Sequence, residues 1–566
     1  MKLLDKIFFP LKKLTSKEKI TFCFILVLVI FVTFFDILTL YFIANIFNFK
    51  LDGFSLLKSN YVLEKITTYF SLDANVFKIS LFILVFSIIL RNVFSFFQQL
   101  VINKFIYGKY AKYSYKLLKT YSSSQPEKFF SKNYSFYLKN IIKETQYAFI
   151  GILFALISLV GDIFYLLILF FYCFYFLLNN FYSEFLIFLS LSFFFIIFFI
   201  YKLKDIGKEK TLNEEGVFND AYETLLSYIQ IKLRKNVDFF LNSFKKNISD
   251  FASNQVFFGS IHVLPKFIME GFVAIGILFF FLTDSNPQEN FSKIIVLGFV
   301  VFRFVPVVTR VAGSLNTFSF HYNSNKILDN QFKYYSLGKQ SLKEVSVDQV
   351  LASIKLINAT FKHSKNHPYL FKNLNIIFKK NTITGIYGPS GHGKTTLLQI
   401  ICGLLKLSKG KYFVNNTNLT NKSVQWNNRV SFMTQSSYIV DNSLRYSIFL
   451  DKEFIDPQTL EEARRLLKKF SLSYLIKFIN KDLTDISLRN TLSAGEKQRI
   501  VFIRCLLSNS DLLILDEPTS SLDTKNELLI MKELLKIKKN KIIIISSHKK
   551  ELIKYFDKVL YLEKYK

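Results

Sequence analysis

The run Gly388-Pro389-Ser390-Gly391-His392-Gly393-Lys394-Thr395 has the spacing G-x-x-x-x-G-K-[ST]. Residues of these types at this spacing can hold a nucleotide's phosphates. The glycines let backbone N–H groups wrap the phosphate oxygens, and the helix that follows adds its positive N-terminal end. Lys394 can reach the β- and γ-phosphates, and the Thr395 hydroxyl, followed by Thr396, can bind Mg²⁺. Further along, the apolar run Leu512–Leu515 ends in Asp516 and Glu517. Asp516 suits the metal, and Glu517 can take a proton from an attacking water. A second apolar run, from Ile542 through Ser547, ends at His548, within reach of a γ-phosphate. The chemistry implied is binding and hydrolysis of a nucleoside triphosphate with Mg²⁺.

These groups need a sheet to hold them. The phosphate loop follows the apolar run ITGIY and precedes the helical run TLLQIICGLL, which is the strand–loop–helix context the motif requires. From about residue 351, short β-rich runs alternate with helical patterns, so an α/β domain with a largely parallel sheet is expected over 351–566. Its ligand site lies at the carboxyl ends of the strands.

The first part of the chain is of another kind. The 566 residues are 51% hydrophobic and 17% aromatic, with 67 Phe, and carry a net charge of +31. This excludes a disordered chain. With only 19 Gly and 9 Pro a collagenous chain is excluded, and four Cys without paired spacing exclude a disulfide scaffold. Cys23, Cys173, Cys402 and Cys505 read as small apolar residues. Apolar runs near 20–47, 77–101, 147–178, 183–201, 256–282 and 291–312 are each long enough to span a bilayer. The first is too long for a signal-peptide core.

Lys and Arg crowd the N-terminus and the stretches 102–146 and 202–255, whereas 179–183 and 283–290 have none. The basic stretches therefore face the cytoplasm, with both chain ends on that side. The positive charge reflects this bias, and nucleic acid is not an expected partner. The two basic stretches read as helical extensions of the spans, each with a turn in its middle. Apolar residues at helical spacing over 216–233 suit a helix there. Residues 48–76 lie outside, as an amphipathic surface helix or a polar loop. The polar stretch 322–350 reads as a linker. The expected organisation is a six-span all-α membrane domain (1–325), a linker (326–350) and the α/β domain (351–566).

Between the phosphate loop and Asp516 lies Leu492-Ser493-Ala494-Gly495-Glu496-Lys497-Gln498-Arg499. This run, with the motifs on either side, resembles the nucleotide-binding domain of ABC transporters, whose signature is LSGGQ followed by basic residues. With six spans ahead of one such domain, the whole chain resembles an ABC exporter half-transporter. The resemblance implies that Gln435 touches Mg²⁺ and faces the membrane domain. It implies that His548 is the switch histidine, and that Asp523, in Ser520-Ser521-Leu522-Asp523, crosses to a partner domain. Ser493 and Gly495 would complete the ATP site of a second copy, so a homodimer is the simplest assembly. Closure of the nucleotide domains would pass to the membrane helices, 216–233 meeting the Gln435 region. Three departures stand out. His363 occupies the place of the adenine-stacking Tyr, Ala494 replaces a Gly, and Glu496 replaces a Gln. The preceding run LTDISLRNT resembles the family's cross-talk loop only weakly.

Arg91, Lys266 and Arg303 sit in or beside apolar runs, where charge is costly. Either they line a positive cavity for an anionic head group such as a phosphate, or they pair with Asp36, Asp162 or Glu270 or snorkel to an interface. The pattern PKFIMEG…FRFVPVVTR…HY resembles the bacterial flippases of undecaprenyl-pyrophosphate-linked oligosaccharides. The expected function is an ATP-driven exporter or flippase in the bacterial inner membrane, moving an amphipathic anionic lipid or lipid-linked oligosaccharide. An exporter of hydrophobic drugs or peptides is the alternative; no peptidase-like domain precedes the first span, which disfavours a processing peptide exporter. A weakly active ATP-binding sensor or scaffold is a second alternative.

Overall fold

A computed structural model describes residues 9–52, 76–177, 182–234, 237–283, 291–340, 344–347, 349–363, 367–420, 422–450, 455–480 and 487–565. The chain folds as two compact units. The first takes Met1–Ser124 and Lys128–Ser336; the second takes Leu337–Lys566 together with Gln125–Glu127.

Long helices build the first unit: α1 (Ser16–Asp52), α2 (Val76–Ser122), α3 (Leu153–Leu177), α4 (Tyr182–Leu226), α5 (Val237–Thr283) and α6 (Phe291–Gln340). The 47 residues of α2 rise by roughly 70 Å at ~1.5 Å per residue. A hydrocarbon layer of about 30 Å takes up less than half of that length. The basic stretches are thus helical, as their pattern suggests, and the chain turns between Ser122 and Tyr134 and again between Leu226 and Val237. Among the described residues, Ser16–Asp36, Phe82–Ser122, Tyr134–Leu169 and Val237–Ile275 are long and apolar enough to cross a membrane. The expected spans at 183–201 and 291–312 are helical in α4 and α6. Of the outer segment expected at 48–76, residues 53–75 lie outside the described residues.

The extension of α2 is sealed by aromatic packing. Tyr113, Leu117 and Tyr121 are buried with Phe149, Leu153 and Ile157 of the next helical stretch and with Leu328, Phe332 and Tyr335 of α6. The Tyr113 and Phe149 rings stack at 4.5 Å. This packing changes the reading of residues 326–340, expected as linker. They continue α6, because Leu328, Phe332 and Tyr335 recur at i, i+4, i+7 within an otherwise polar stretch and form a buried helical stripe.

The second unit is an α/β domain. Its central sheet is parallel, in the order β8 (Lys558–Tyr561), β3 (Thr382–Tyr387), β7 (Ile542–Ser547), β6 (Leu512–Asp516), β5 (Val430–Met433). Every residue of β6 and β7 is buried, as suits central parallel strands covered on both faces. Each fully buried Ile or Leu there contributes about 1.5–3 kcal/mol. A second, antiparallel sheet joins β2 (Phe371–Lys379), β1 (Ser353–Phe361) and β4 (Lys409–Val414). Helix α7 (Lys394–Ile401) follows β3 directly. A helical layer of α8 (Pro457–Lys469), a 3₁₀ turn (Ser473–Phe478) and α9 (Ala494–Leu507) shares a core that includes Leu467, Phe470, Leu475 and Phe502. Helix α10 (Thr524–Ile537) lies between β6 and β7 in sequence.

Candidate nucleotide site

The phosphate loop joins the end of β3 to the start of α7. Gly391 and Gly393 have φ of 78° and 82°, the left-handed region in which a Cβ is costly. A Cβ on Gly393 would also sit 2.9 Å from Leu370 Cδ2. Gly388 is buried, Ser390 is exposed at the tip, and Thr396 is buried in the first turn of α7. The Lys394 side chain is 6% exposed, and its ammonium donates to Gly388 O at 2.8 Å and Pro389 O at 3.1 Å. It lies 3.4 Å from Glu517 Oε1.

Asp516 and Glu517 meet this loop from the end of β6. Thr395 Oγ1 donates to Asp516 Oδ2 at 2.7 Å. Gln435, just past β5, donates from Nε2 to Glu517 Oε2 at 3.0 Å. His548, just past β7, has Nδ1 3.3 Å from Glu517 Oε1. The structure thus brings together Lys394, Thr395, Gln435, Asp516, Glu517 and His548. Thr395 Oγ1, spending its proton on Asp516, keeps lone pairs free; Gln435, spending its amide nitrogen on Glu517, keeps Oε1 free. With the Asp516 carboxylate this is an all-oxygen donor set, the kind that fits Mg²⁺.

Ser493 and Gly495 belong to a separate cluster at the head of α9. Ser493 is the N-cap, and its side chain and that of Glu496 form a capping box. Glu496 Oε2 accepts from Ser493 N and Ser493 Oγ, each at 2.8 Å, and Glu496 Oε1 accepts from Tyr474 OH at 2.5 Å. Partial burial raises the Glu496 pKa, but the Tyr474 and Ser493 hydrogen bonds outweigh it and hold the carboxyl below the usual range. Gly495 has no room for a side chain: a Cβ would stand 2.8 Å from Ser521 O. Ala494 is exposed, so its methyl meets no such obstacle. Asp523 caps α10, accepting from Asn526 N at 3.2 Å and Asn526 Nδ2 at 2.6 Å. Those bonds lower its pKa. His363 is exposed, its ring edge-on to Phe361 with 5.2 Å between centroids.

Two of the three cations expected of a cargo cavity, Arg91 and Lys266, have partners in the helical unit. Arg91 Nε lies 2.8 Å from Asp36 Oδ1. Lys266 Nζ lies 3.9 Å from Glu270 Oε1, one turn on in α5. The third carboxylate, Asp162, accepts from Arg310 Nε at 2.9 Å. The side chain of Arg303 lies outside the described residues.

Sequence reasoning missed several groups. Gln498 donates to Glu517 O at 2.9 Å. Ser546 Oγ donates to Asp516 Oδ1 at 2.5 Å and accepts from Glu517 N at 2.9 Å. The signal for Ser546 is a hydroxyl that follows four Ile within one buried strand. A buried charged cluster in the helical unit was missed as well. Lys139 Nζ donates to Thr211 O at 2.7 Å and lies 3.2 Å from Glu144 Oε1. Tyr147 OH donates to Glu214 Oε1 at 2.8 Å.

Residues 371–520 match the family model described as ABC transporter. A "Probable ABC transporter ATP-binding/permease protein" of Haemophilus influenzae is 32% identical over 225 residues, 39% of this chain and 39% of that protein. An "ATP-dependent lipid A-core flippase" of Wigglesworthia glossinidia brevipalpis is 30% identical over 230 residues, 40% of this chain and 39% of its own length. The chain thus spans well under two thirds of these curated relatives. The solved structure of a bacterial Atm1-family ABC exporter with ATP bound shares the fold over 94% of this chain and 92% of its own. Its TM-score is 0.74 and its sequence identity 14%.

Proposed function

We propose, from an ABC-transporter ATPase domain following a helical unit of exporter fold, that the chain is an ATP-driven membrane exporter. The observation that carries this reading is the convergence of Lys394, Gln435 and His548 on the Glu517 carboxylate. With ATP bound, the N–H groups of the loop 388–395 surround the phosphates, and Lys394 exchanges its carbonyl acceptors for phosphate oxygens. Glu517 takes the proton of the attacking water, and His548 turns its ring toward the γ-phosphate. Mg²⁺ would be held by Thr395, Gln435 and Asp516 and would neutralise phosphate charge. His363 offers a flat ring to the adenine. Ser493 and Gly495, in a cluster apart from the phosphate loop, would serve the site of a second copy, so the working form is a homodimer. Asp523 lies in the loop that would meet that copy.

The cargo we propose is an amphipathic lipid with an anionic head, moved out of the cytoplasmic leaflet of a bacterial inner membrane with both chain ends cytoplasmic. The basic residues Arg91, Lys266, Arg303 and Arg310 in the spanning helices and the lipid A-core flippase among the relatives support it. A lipid-linked oligosaccharide is the specific candidate. A second reading, export of uncharged hydrophobic compounds, draws on the pairing of Arg91 with Asp36 and Lys266 with Glu270. The test is ATP-driven flipping of a pyrophosphate-linked glycolipid in proteoliposomes by wild type and by Glu517→Gln. Flipping by wild type alone supports the lipid cargo. ATPase activity without flipping sinks it and leaves the second reading.

A further inference from the structure

Ser546 touches both acidic residues of the site at once. It is fully buried on β7 and is the register partner of Asp516 on β6. A hydroxyl has one proton to give and lone pairs to receive, and here both are used. The proton goes to Asp516 Oδ1 at 2.5 Å, and a lone pair takes the Glu517 N–H at 2.9 Å.

The second of these bonds matters because Glu517 is in an unusual conformation. Its φ is 48°, in the left-handed region that residues with a Cβ avoid unless their surroundings hold them there. Glu517 follows the last residue of β6, and its carboxylate lies against Gln435 and His548. The Glu517 peptide is pinned on both sides. Ser546 takes its N–H, and Gln498, 2% exposed on α9, donates to its C=O at 2.9 Å. Ile542–Ile545 precede Ser546 on the same strand, so an aliphatic residue in its place would continue the strand's pattern. It would leave the part-buried Glu517 N–H and the buried Asp516 Oδ1 without this partner.

We propose that Ser546 is a positioning residue for ATP hydrolysis: its hydroxyl fixes Glu517 in its left-handed turn and orients the Asp516 carboxylate. This rests on the ATPase reading of the site. The experiment compares wild type, Ser546→Ala, Ser547→Ala, Glu517→Gln and the Ser546→Ala/Glu517→Gln double variant. Ser547 is the control, since it is 4% exposed and its Oγ accepts from Lys549 N at 3.0 Å. The readouts are steady-state and single-turnover ATP hydrolysis, and binding of a fluorescent ATP analogue without Mg²⁺.

Losing a buried hydrogen bond to a reacting group should lower kcat on the order of tenfold in Ser546→Ala. KM for ATP and analogue binding should stay within about threefold, and Ser547→Ala should stay within about twofold of wild type. If Ser546 acts through Glu517, the double variant should be less than about twofold slower than Glu517→Gln alone. Three results would overturn the proposal: unchanged kcat in Ser546→Ala, loss of analogue binding with it, or a full tenfold loss repeated in the Glu517→Gln background. A wild type without ATPase activity would overturn the ATPase reading and the inference together. Active wild type with indifferent Ser546→Ala overturns the inference alone.

Discussion

Gly495→Ala is a sharp test of how the head of α9 is packed. The new Cβ would stand 2.8 Å from Ser521 O and 3.3 Å from Leu522 Cδ2. The first contact is with backbone, so a rotamer change cannot relieve it. The loop must move by a few tenths of an ångström, yet Ser521 N is held by Gln498 Oε1 at 3.1 Å. Overpacking of this kind costs about 1–3 kcal/mol. Against a midrange cost of ~2 kcal/mol, better helix propensity returns up to ~1 kcal/mol, leaving a net loss of roughly 1–2 kcal/mol. For a unit of this size that is a drop in Tm of about 2–8 °C. The assay is built in. Trp426 is the sole tryptophan, lies in the α/β unit and donates from Nε1 to Cys402 O at 2.7 Å. Its fluorescence on heating therefore reports unfolding of that unit within the full chain. Ala494→Gly, at an exposed neighbour, should move Tm by no more than about 4 °C and leave ATP hydrolysis intact. Gly495→Ala melting within a degree of wild type, with full ATPase activity, would refute the packing argument.

Three further outcomes are expected. Thr395→Ala should raise the Mg²⁺ concentration needed for half-maximal ATPase activity by about 10–100-fold, because Asp516 loses its 2.7 Å donor and the set loses an oxygen; an unchanged Mg²⁺ requirement would contradict the donor set. Glu496 should stabilise the head of α9 in a pH-dependent way. Its folded carboxyl lies below the ordinary 4.5, so its contribution is present above that pH and is lost as pH falls through the folded value. The Trp426 melting difference between wild type and Glu496→Gln should therefore shrink on acidification below about pH 4.5, and a constant difference would count against the pairing with Tyr474 and Ser493. Burial pushes the Cys402 thiol up to about 12 and the Cys505 thiol up to about 11. Both should resist maleimide at pH 8 in the native chain and react after denaturation, as peptide mapping would show; prompt native labelling would contradict their burial.

The nucleotide site was largely legible because its parts are local. A glycine-rich loop, an apolar strand ending in Asp516 and Glu517, and an apolar strand ending at His548 each carry their own sequence pattern. What joins them does not. Ser546 reaches Asp516 through the register of β6 against β7, and nothing in either strand's own sequence states that register. Tyr474 reaches Glu496 only once the 3₁₀ turn packs beside α9. Asp36 is legible in the sequence as one possible partner for Arg91, whereas their 2.8 Å approach follows from the packing of α1 on α2. The end of α6 has the polar composition of a linker, which hides the three residues, Leu328, Phe332 and Tyr335, that bury it. Composition weighs all residues equally, whereas a helix needs only one apolar stripe.

The most direct test of the central claim is the ATPase rate of the purified full chain beside that of Glu517→Gln, with ATP-analogue binding measured on both. The arrangement around Glu517 predicts Mg²⁺-dependent hydrolysis by wild type and a loss of at least about 100-fold in the variant, with binding retained. Equal rates in the two proteins, or binding without hydrolysis in wild type, would contradict it.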